Sequence, residues 1–140
     1  MKPESNKLHF DMLLLTALDD EYCAVKDLIQ PDGDSNGWVP LQKPGRPPVL
    51  KGLFKRPHSD IPLSVLLARS KKMGLVASIM RAYEVAIDYS FDGIAMCGVC
   101  AANPDKHAEG DVLIARDSWR WGPGKVITKK KDGHQRREED

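Results

Sequence analysis

Residues 74–102 read GLVASIMRAYEVAIDYSFDGIAMCGVCAA, and two different periods are legible in that stretch. Val76, Ile79, Met80, Tyr83 and Ile87 recur at i, i+3, i+4, i+7 and i+11, the spacing that gathers side chains into one stripe of an α-helix. Gly74 opens the helix, and Asp92-Gly93 punctuates the chain after it. Ile94-Ala95-Met96-Cys97-Gly98-Val99 then forms an unbroken run of apolar and small residues, the character of a parallel strand buried on both faces. A helix feeding such a strand predicts a right-handed β-α-β crossover, and therefore an α/β fold. On that reading the stripe packs on the sheet, and Ile79→Ala is expected to cost roughly 2–5 kcal/mol as a buried truncation.

Toward the N-terminus, Met12–Leu15 is a second short apolar run, suited to the first strand of the same sheet. Asp19, Asp20 and Glu21 precede Ala24, Val25, Leu28 and Ile29; acidic groups complement the positive end of a helix, so a helix near 20–30 is predicted. Val49–Phe54 and Ile61–Ala68 are β-compatible runs separated by Lys55–Asp60, either a hairpin or neighbouring strands. Between the first helix and these runs, Pro31–Pro48 holds Gly33, Gly37, Gly45, Pro40, Pro44 and Pro47 without periodicity. It is expected to be an exposed excursion whose removal costs little.

Toward the C-terminus, Gly110-Asp111 precedes Val112-Leu113-Ile114-Ala115, expected to be a further strand beside those at 12–16 and 94–99. Trp119–Val126, with its glycines and proline among aromatic residues, reads as a loop over a pocket or an interface. Thr128–Asp140 is dense in charge and lacks any large apolar residue, which predicts a charged tail unable to bury itself.

Composition narrows the function classes. A formal net charge of +1 over 140 residues provides no field to steer nucleic acid or an anionic membrane. The longest apolar runs fall well short of the roughly 20 residues of a membrane helix, and the N-terminus has no secretory pattern, so a cytoplasmic protein is expected. The three cysteines, Cys23, Cys97 and Cys100, are too sparse for a disulfide scaffold. Cys97 and Cys100 have C-x-x-C spacing, but with no second cysteine pair and only His107 nearby a zinc site is not expected. A redox pair in a flavodoxin-like or thioredoxin-like domain stays open as a weaker reading.

Three segments in order carry a resemblance: Leu14-Leu15-Thr16-Ala17-Leu18-Asp19-Asp20-Glu21-Tyr22, Ala68-Arg69-Ser70-Lys71-Lys72-Met73-Gly74-Leu75-Val76-Ala77, and Met96-Cys97-Gly98-Val99-Cys100-Ala101-Ala102 followed by Gly110–Ala115. Together they are similar to the nucleoside phosphorylase superfamily, most closely its nucleosidase branch, which includes methylthioadenosine/S-adenosylhomocysteine nucleosidase. The aromatic Gly-Lys-Val segment at Trp119–Val126 resembles bacterial domains that are often parts of larger signalling or defence proteins.

The resemblance implies a three-layer α-β-α domain with a central mixed sheet over residues 1–127, incomplete at the C-terminus, with 128–140 a charged tail or truncated continuation. It implies cleavage of the N-glycosidic bond of an adenine nucleoside, with Glu21 as the base that activates water. Ala17 and Met73 would line the sugar and its 5′ substituent, with Gly74 and the turn Cys97-Gly98-Val99-Cys100 around the ribose. No metal or cofactor is implied, and the partner is a small-molecule nucleoside, in a homo-oligomer or a larger multidomain protein. Glu21 also has a plain reading, because three acidic residues at a helix start are what dipole complementarity alone selects.

The chain departs from the family at informative positions. Met96 and Val99 stand where the phosphorylases carry a phosphate-binding Arg and a Ser, and the acidic loop Asp19-Asp20-Glu21 would repel phosphate, so water is the expected nucleophile. The nucleosidases also usually carry a Ser at the position of Val99. The family's purine-binding segment, ribose-binding Glu and purine-protonating Asp are expected after Val126, and Thr128–Asp140 does not resemble them. An incomplete, poorly active copy is therefore expected, with a non-catalytic nucleoside-binding or protein-interaction module as the alternative.

Overall fold

The computed structural model describes residues 7–32, 37–70, 72, 74–100, 103, 105–115, 127–131 and 134–138. In chain order its elements are β1 (Leu8–Thr16), α1 (Asp19–Leu28), β2 (Val39–Leu41), β3 (Val49–Arg56), β4 (Ser59–Arg69), α2 (Leu75–Asp88), β5 (Tyr89–Met96), β6 (Ile127–Lys131) and β7 (His134–Glu138). The first seven build a mixed five-stranded sheet in the order β2-β3-β4-β1-β5 with two helices, a small α/β domain. The chain divides into two compact units, Met1–Ala101 and Ala102–Asp140.

β1 pairs in parallel with β4 on one edge, Leu15 opposite Ala68, and with β5 on the other, Leu15 opposite Met96. Being central, it sends alternate side chains to two cores. Leu13 and Leu15 join Leu66, Ala68, Val49 and Val85 of α2 in one buried cluster. Leu14 packs with Leu67, Leu50 and Val25 of α1 in the other. The helices therefore cover opposite faces of the sheet. β5 begins at Tyr89 and ends at Met96, so the strand expected over 94–99 starts earlier and Cys97–Val99 lie beyond it.

α2 occupies the expected residues but presents the opposite face. Val76, Ile79, Met80, Tyr83 and Ile87 are exposed, between 41% and 74%, while Ser78, Arg81 and Val85 are buried, with Ala82 packed against the core. The reason lies in Arg81, only 4% exposed, which donates to the carbonyls of Arg69 (3.0 Å), Pro47 (3.3 Å) and Pro48 (3.1 Å) and pairs with Glu84 (3.1 Å). A charge is buried only with such partners, and seating Arg81 turns the apolar stripe outward. Gly74, the residue before the helix, has φ +105°, a conformation that glycine adopts without steric cost.

The described residues of the excursion 31–48 are tied down rather than free; residues 33–36 lie outside the described residues. β2 pairs antiparallel with β3, Trp38 packs on the α1-side core, and Pro47 and Pro48 receive Arg81. β3 and β4 pair antiparallel as a hairpin, one of the two arrangements that the sequence left open. Asp11 of β1 crosses to it, accepting from the Ser64 N–H (2.7 Å) and Oγ–H (2.6 Å) and pairing with Arg56. These bonds, Ser64's ahead of Arg56's, hold its carboxyl well below the usual carboxylate range.

In the second unit, residues 111–115 are not a strand: Val112 and Ile114 are 87% and 91% exposed in irregular chain, and 116 lies outside the described residues. An apolar run by itself does not specify a strand, because the ladder also needs a neighbour with free backbone groups. Where a tail is expected, β6 and β7 pair as an antiparallel hairpin, Ile127 opposite Glu138. Trp119–Val126 lies outside the described residues.

Two measurements check this packing. Arg81→Met should destabilise unit one by about 2–4 kcal/mol, since it strands three carbonyl acceptors, whereas Ile79→Ala should cost less than about 1 kcal/mol. Urea unfolding that ranks the two in the reverse order would contradict the orientation of α2. In addition, Asp11's carboxyl is lowered in the fold from its ordinary 3.8, so its contribution is present above that value and lost as pH falls below it. Asp11→Asn should flatten the acid limb of a stability–pH curve, and an unchanged limb would exclude the assigned bonds.

Candidate functional site

Three parallel strands, β4, β1 and β5, end on the same side of the sheet and deliver three loops there, the position where open α/β sheets bind ligands. Each ladder is extended past the strand ends, Ser70 N–H to Thr16 O at 2.8 Å and Cys97 N–H to Leu15 O at 2.9 Å. The loop ends are therefore held by the sheet itself.

Glu21, in the first turn of α1, reaches back into this junction. Its Oε2 accepts the N–H groups of Ala17 and Leu18, both at 3.0 Å, and its Oε1 accepts the N–H of Val99 at 3.0 Å. Leu18, at the N-cap, has no side-chain acceptor of its own, so Glu21 supplies the reciprocal half of a capping box and then crosses to the β5 loop. Gly98 makes room: a Cβ there would sit 2.7 Å from Oε1. Burial raises the Glu21 pKa, but the bonds from Leu18, Val99 and Ala17 outweigh it and leave the carboxyl below its ordinary 4.5.

Around the carboxylate, Arg69 at the end of β4 pairs with Asp19 at the start of α1. Asp19 is 76% exposed, so solvent screens this pair and it orients more than it stabilises. Thr16, at the end of β1, is fully buried, and its Oγ1 has no hydrogen-bond partner among the described residues. Cys97 packs against the α1-side core, as Tyr22 does, whereas Cys23 and Cys100 are exposed, and all three thiols are free. Among the described residues no group of three or more His, Cys, Asp or Glu is placed to hold a metal ion.

Of the residues singled out from the sequence, Ala17, Glu21 and Val99 meet in one hydrogen-bonded cluster, Gly98 lies close against the Glu21 carboxylate, and Cys97 borders it. Gly74 stands at the same end of the sheet as the N-cap of α2, and Cys100 lies exposed past the turn; neither bonds to Glu21 among the described hydrogen bonds. Met73 lies outside the described residues. Arg69 and Thr16 belong to the junction without having been singled out. Their signal is positional, the last residue of a strand whose register puts the two opposite each other.

The chain matches no protein-family model, no curated protein and no solved structure. The geometry by itself describes a carboxylate held by three backbone N–H groups between two loops at the carboxyl ends of the parallel strands.

That description separates by mutation from a carboxylate with no structural duty. Glu21→Gln turns an amide NH₂ toward at least one backbone donor, and Gly98→Ala drives its Cβ into Oε1, so each should lower stability by about 1–3 kcal/mol. Hydrogen exchange should show the Val99 amide losing protection in both variants. A Val99 amide as protected as in the parent would break the assignment.

Proposed function

We propose that this chain is a nucleosidase-type domain that binds an adenine nucleoside at the β4–β1–β5 junction and uses Glu21 to activate water against C1′. One observation carries the reading: Ala17 and Val99, which the family resemblance singles out from separate stretches of sequence, converge through the hydrogen bonds of Glu21, with Gly98 close against its carboxylate. A mixed sheet with a helix on each face also fits the three-layer phosphorylase-type fold implied by that resemblance.

Hydrolysis of an N-glycosidic bond passes through an oxocarbenium-like sugar. Water oxygen bonds to C1′ and yields its proton to the base, while the C1′–N bond breaks with its electron pair going to the purine, which must then be protonated. Glu21 suits the first task, since a carboxyl below its ordinary value is ionised at neutral pH. No described residue is assigned the second. Arg69 brings a cationic side chain to the junction, and its pairing with Asp19 offsets its pull on phosphate, in keeping with water as nucleophile.

A second reading, a module that binds the nucleoside without turnover, is favoured by a separate observation. Both oxygens of Glu21 are already engaged by backbone N–H groups, which weakens it as a base and suits it as a tie between loops.

The experiment incubates the chain with methylthioadenosine, S-adenosylhomocysteine and adenosine, with and without phosphate. It follows free adenine by chromatography and melting temperature by calorimetry. The expected outcome is stabilisation by nucleoside and slow, phosphate-independent adenine release that falls by roughly 10²-fold or more in Glu21→Gln. Release should stay level from neutral pH down to about the ordinary carboxylate range and fall below it, as the base becomes protonated. Stabilisation without release selects the module, and a chain that neither melts higher nor releases adenine overturns both readings.

A further inference from the structure

The thiols of the β5 loop take no part in the proposed reaction, yet they bracket the residues that meet Glu21. Cys97 and Cys100 flank Gly98, which lies against the Glu21 carboxylate, and Val99, whose N–H bonds to it. Cys97 is half-buried against the α1-side core, and its own N–H is held by the Leu15 carbonyl at 2.9 Å. Cys100 is exposed, and both thiols are free.

The backbone between the two cysteines decides what joining them would do. From Cys97 to Cys100 the chain runs on past β5 with neither turn nor bend. Three residues of extended chain separate Cα atoms by about 10 Å. A disulfide needs roughly 4.4–6.8 Å. Joining the sulfurs therefore folds the segment into a tight turn, and Gly98 inside it takes up turn dihedrals at little steric cost. Because Cys97 is anchored to β1, Val99 and Cys100 are the residues that move. The bond from the Val99 N–H to Glu21 Oε1, 3.0 Å in the dithiol form, is the one that such a turn withdraws.

We infer that Cys97 and Cys100 form a thiol–disulfide exchange site for low-molecular-weight disulfides of the glutathione class, and that oxidation of the pair releases the β5 loop from Glu21. Exposure sets the order of events. The Cys100 thiolate attacks one sulfur of the small disulfide, expels the other as a thiolate and leaves a mixed disulfide. Cys97, shielded by the core, then displaces the second small thiol from Cys100 and closes the intrachain bond. The two cysteine protons pass to the two departing thiolates, and the two electrons lost by the pair reduce the small disulfide to two thiols. Cys23 lies on α1 outside the C-x-x-C spacing, and its exchange stops at the mixed disulfide.

The coupling is reciprocal: whatever holds Val99 to Glu21 opposes the disulfide, and closing the disulfide frees Oε1 of Glu21. Oxidation acts on the junction whether or not a nucleoside binds there. A hydrogen bond to a carboxylate is strong enough for roughly a tenfold effect on the exchange equilibrium, about 30 mV for this two-electron couple.

The experiment equilibrates the whole chain in glutathione buffers from fully reduced to fully oxidised, alkylates the remaining thiols and reads non-reduced digests by mass spectrometry. The expected product is a peptide holding Cys97 and Cys100 that is lighter by the mass of two hydrogens. In Cys97→Ser the glutathione adduct should accumulate on Cys100, and in Cys100→Ser Cys97 should carry at least tenfold less. Glu21→Gln should favour the disulfide by roughly tenfold in the exchange constant. On the parent chain, hydrogen exchange should show the Val99 amide losing protection in the disulfide form while the Leu14 amide of β1 keeps its own. That measurement stands even if Glu21→Gln does not fold. A pair that stays dithiol in oxidised glutathione, stops at glutathione adducts, or joins Cys23 or another chain overturns the site. A disulfide that leaves the Val99 amide as protected as in the dithiol, or whose equilibrium ignores Glu21→Gln, overturns the coupling. None of these readouts uses adenine release, so failure here is distinct from failure of the nucleosidase reading.

Discussion

The parallel pairing of β1 on both of its edges is the constraint from which the rest of unit one follows. A strand with two parallel neighbours can place its connections only by crossing over a face, and here the crossover into β5 carries α2. Burial on both faces requires apolar side chains in succession, which Met12-Leu13-Leu14-Leu15 supply, Leu13 and Leu15 to one core and Leu14 to the other. The same pairing aligns Thr16 with Arg69 and Leu15 with Met96, so three loops must emerge together. The junction is thus a consequence of the register, and Glu21 refines what the register already imposes.

Glu21 illustrates how one side chain meets structural and chemical demands that pull against each other. Its two oxygens accept three backbone N–H groups that would otherwise be orphaned at a helix start and past a strand end, and those bonds lower its pKa. The donors that secure ionisation also stabilise the charge that a base must give up. A carboxylate engaged by only two donors would be a stronger base and a weaker tie. Which demand prevails is decided by turnover, since both give the same resting geometry.

What was legible in the sequence was what depends on local pattern. The buried run at 12–15, the helix at 75–88 and the paired strands across 49–69 are each signalled by adjacent residues, and the structure holds them where those signals stand. What escaped depends on partners distant in sequence. Val39–Leu41 became a strand because β3 offered a free edge, although prolines and glycines surround it. Val112–Ala115 has the more strand-like composition and formed none. Thr16 and Arg69 gained their place through register, which no single stretch encodes.

The inverted face of α2 is the most instructive case, because the period was right and the direction was not. A helical stripe establishes that two faces differ; it does not establish which one meets the sheet. Here the interior side is decided by Arg81, whose five N–H donors find three carbonyls and a carboxylate in one place, two of the carbonyls belonging to a Pro-Pro step that interrupts any ladder. Desolvating a guanidinium is tolerable only where the acceptors are fixed in advance, and the short tie of β2 to β3 helps to fix them. A polar residue thus orients the helix, and the apolar residues are left to face outward. The same inversion accounts for an α/β unit with a well-packed sheet and a continuous apolar surface on a single helix.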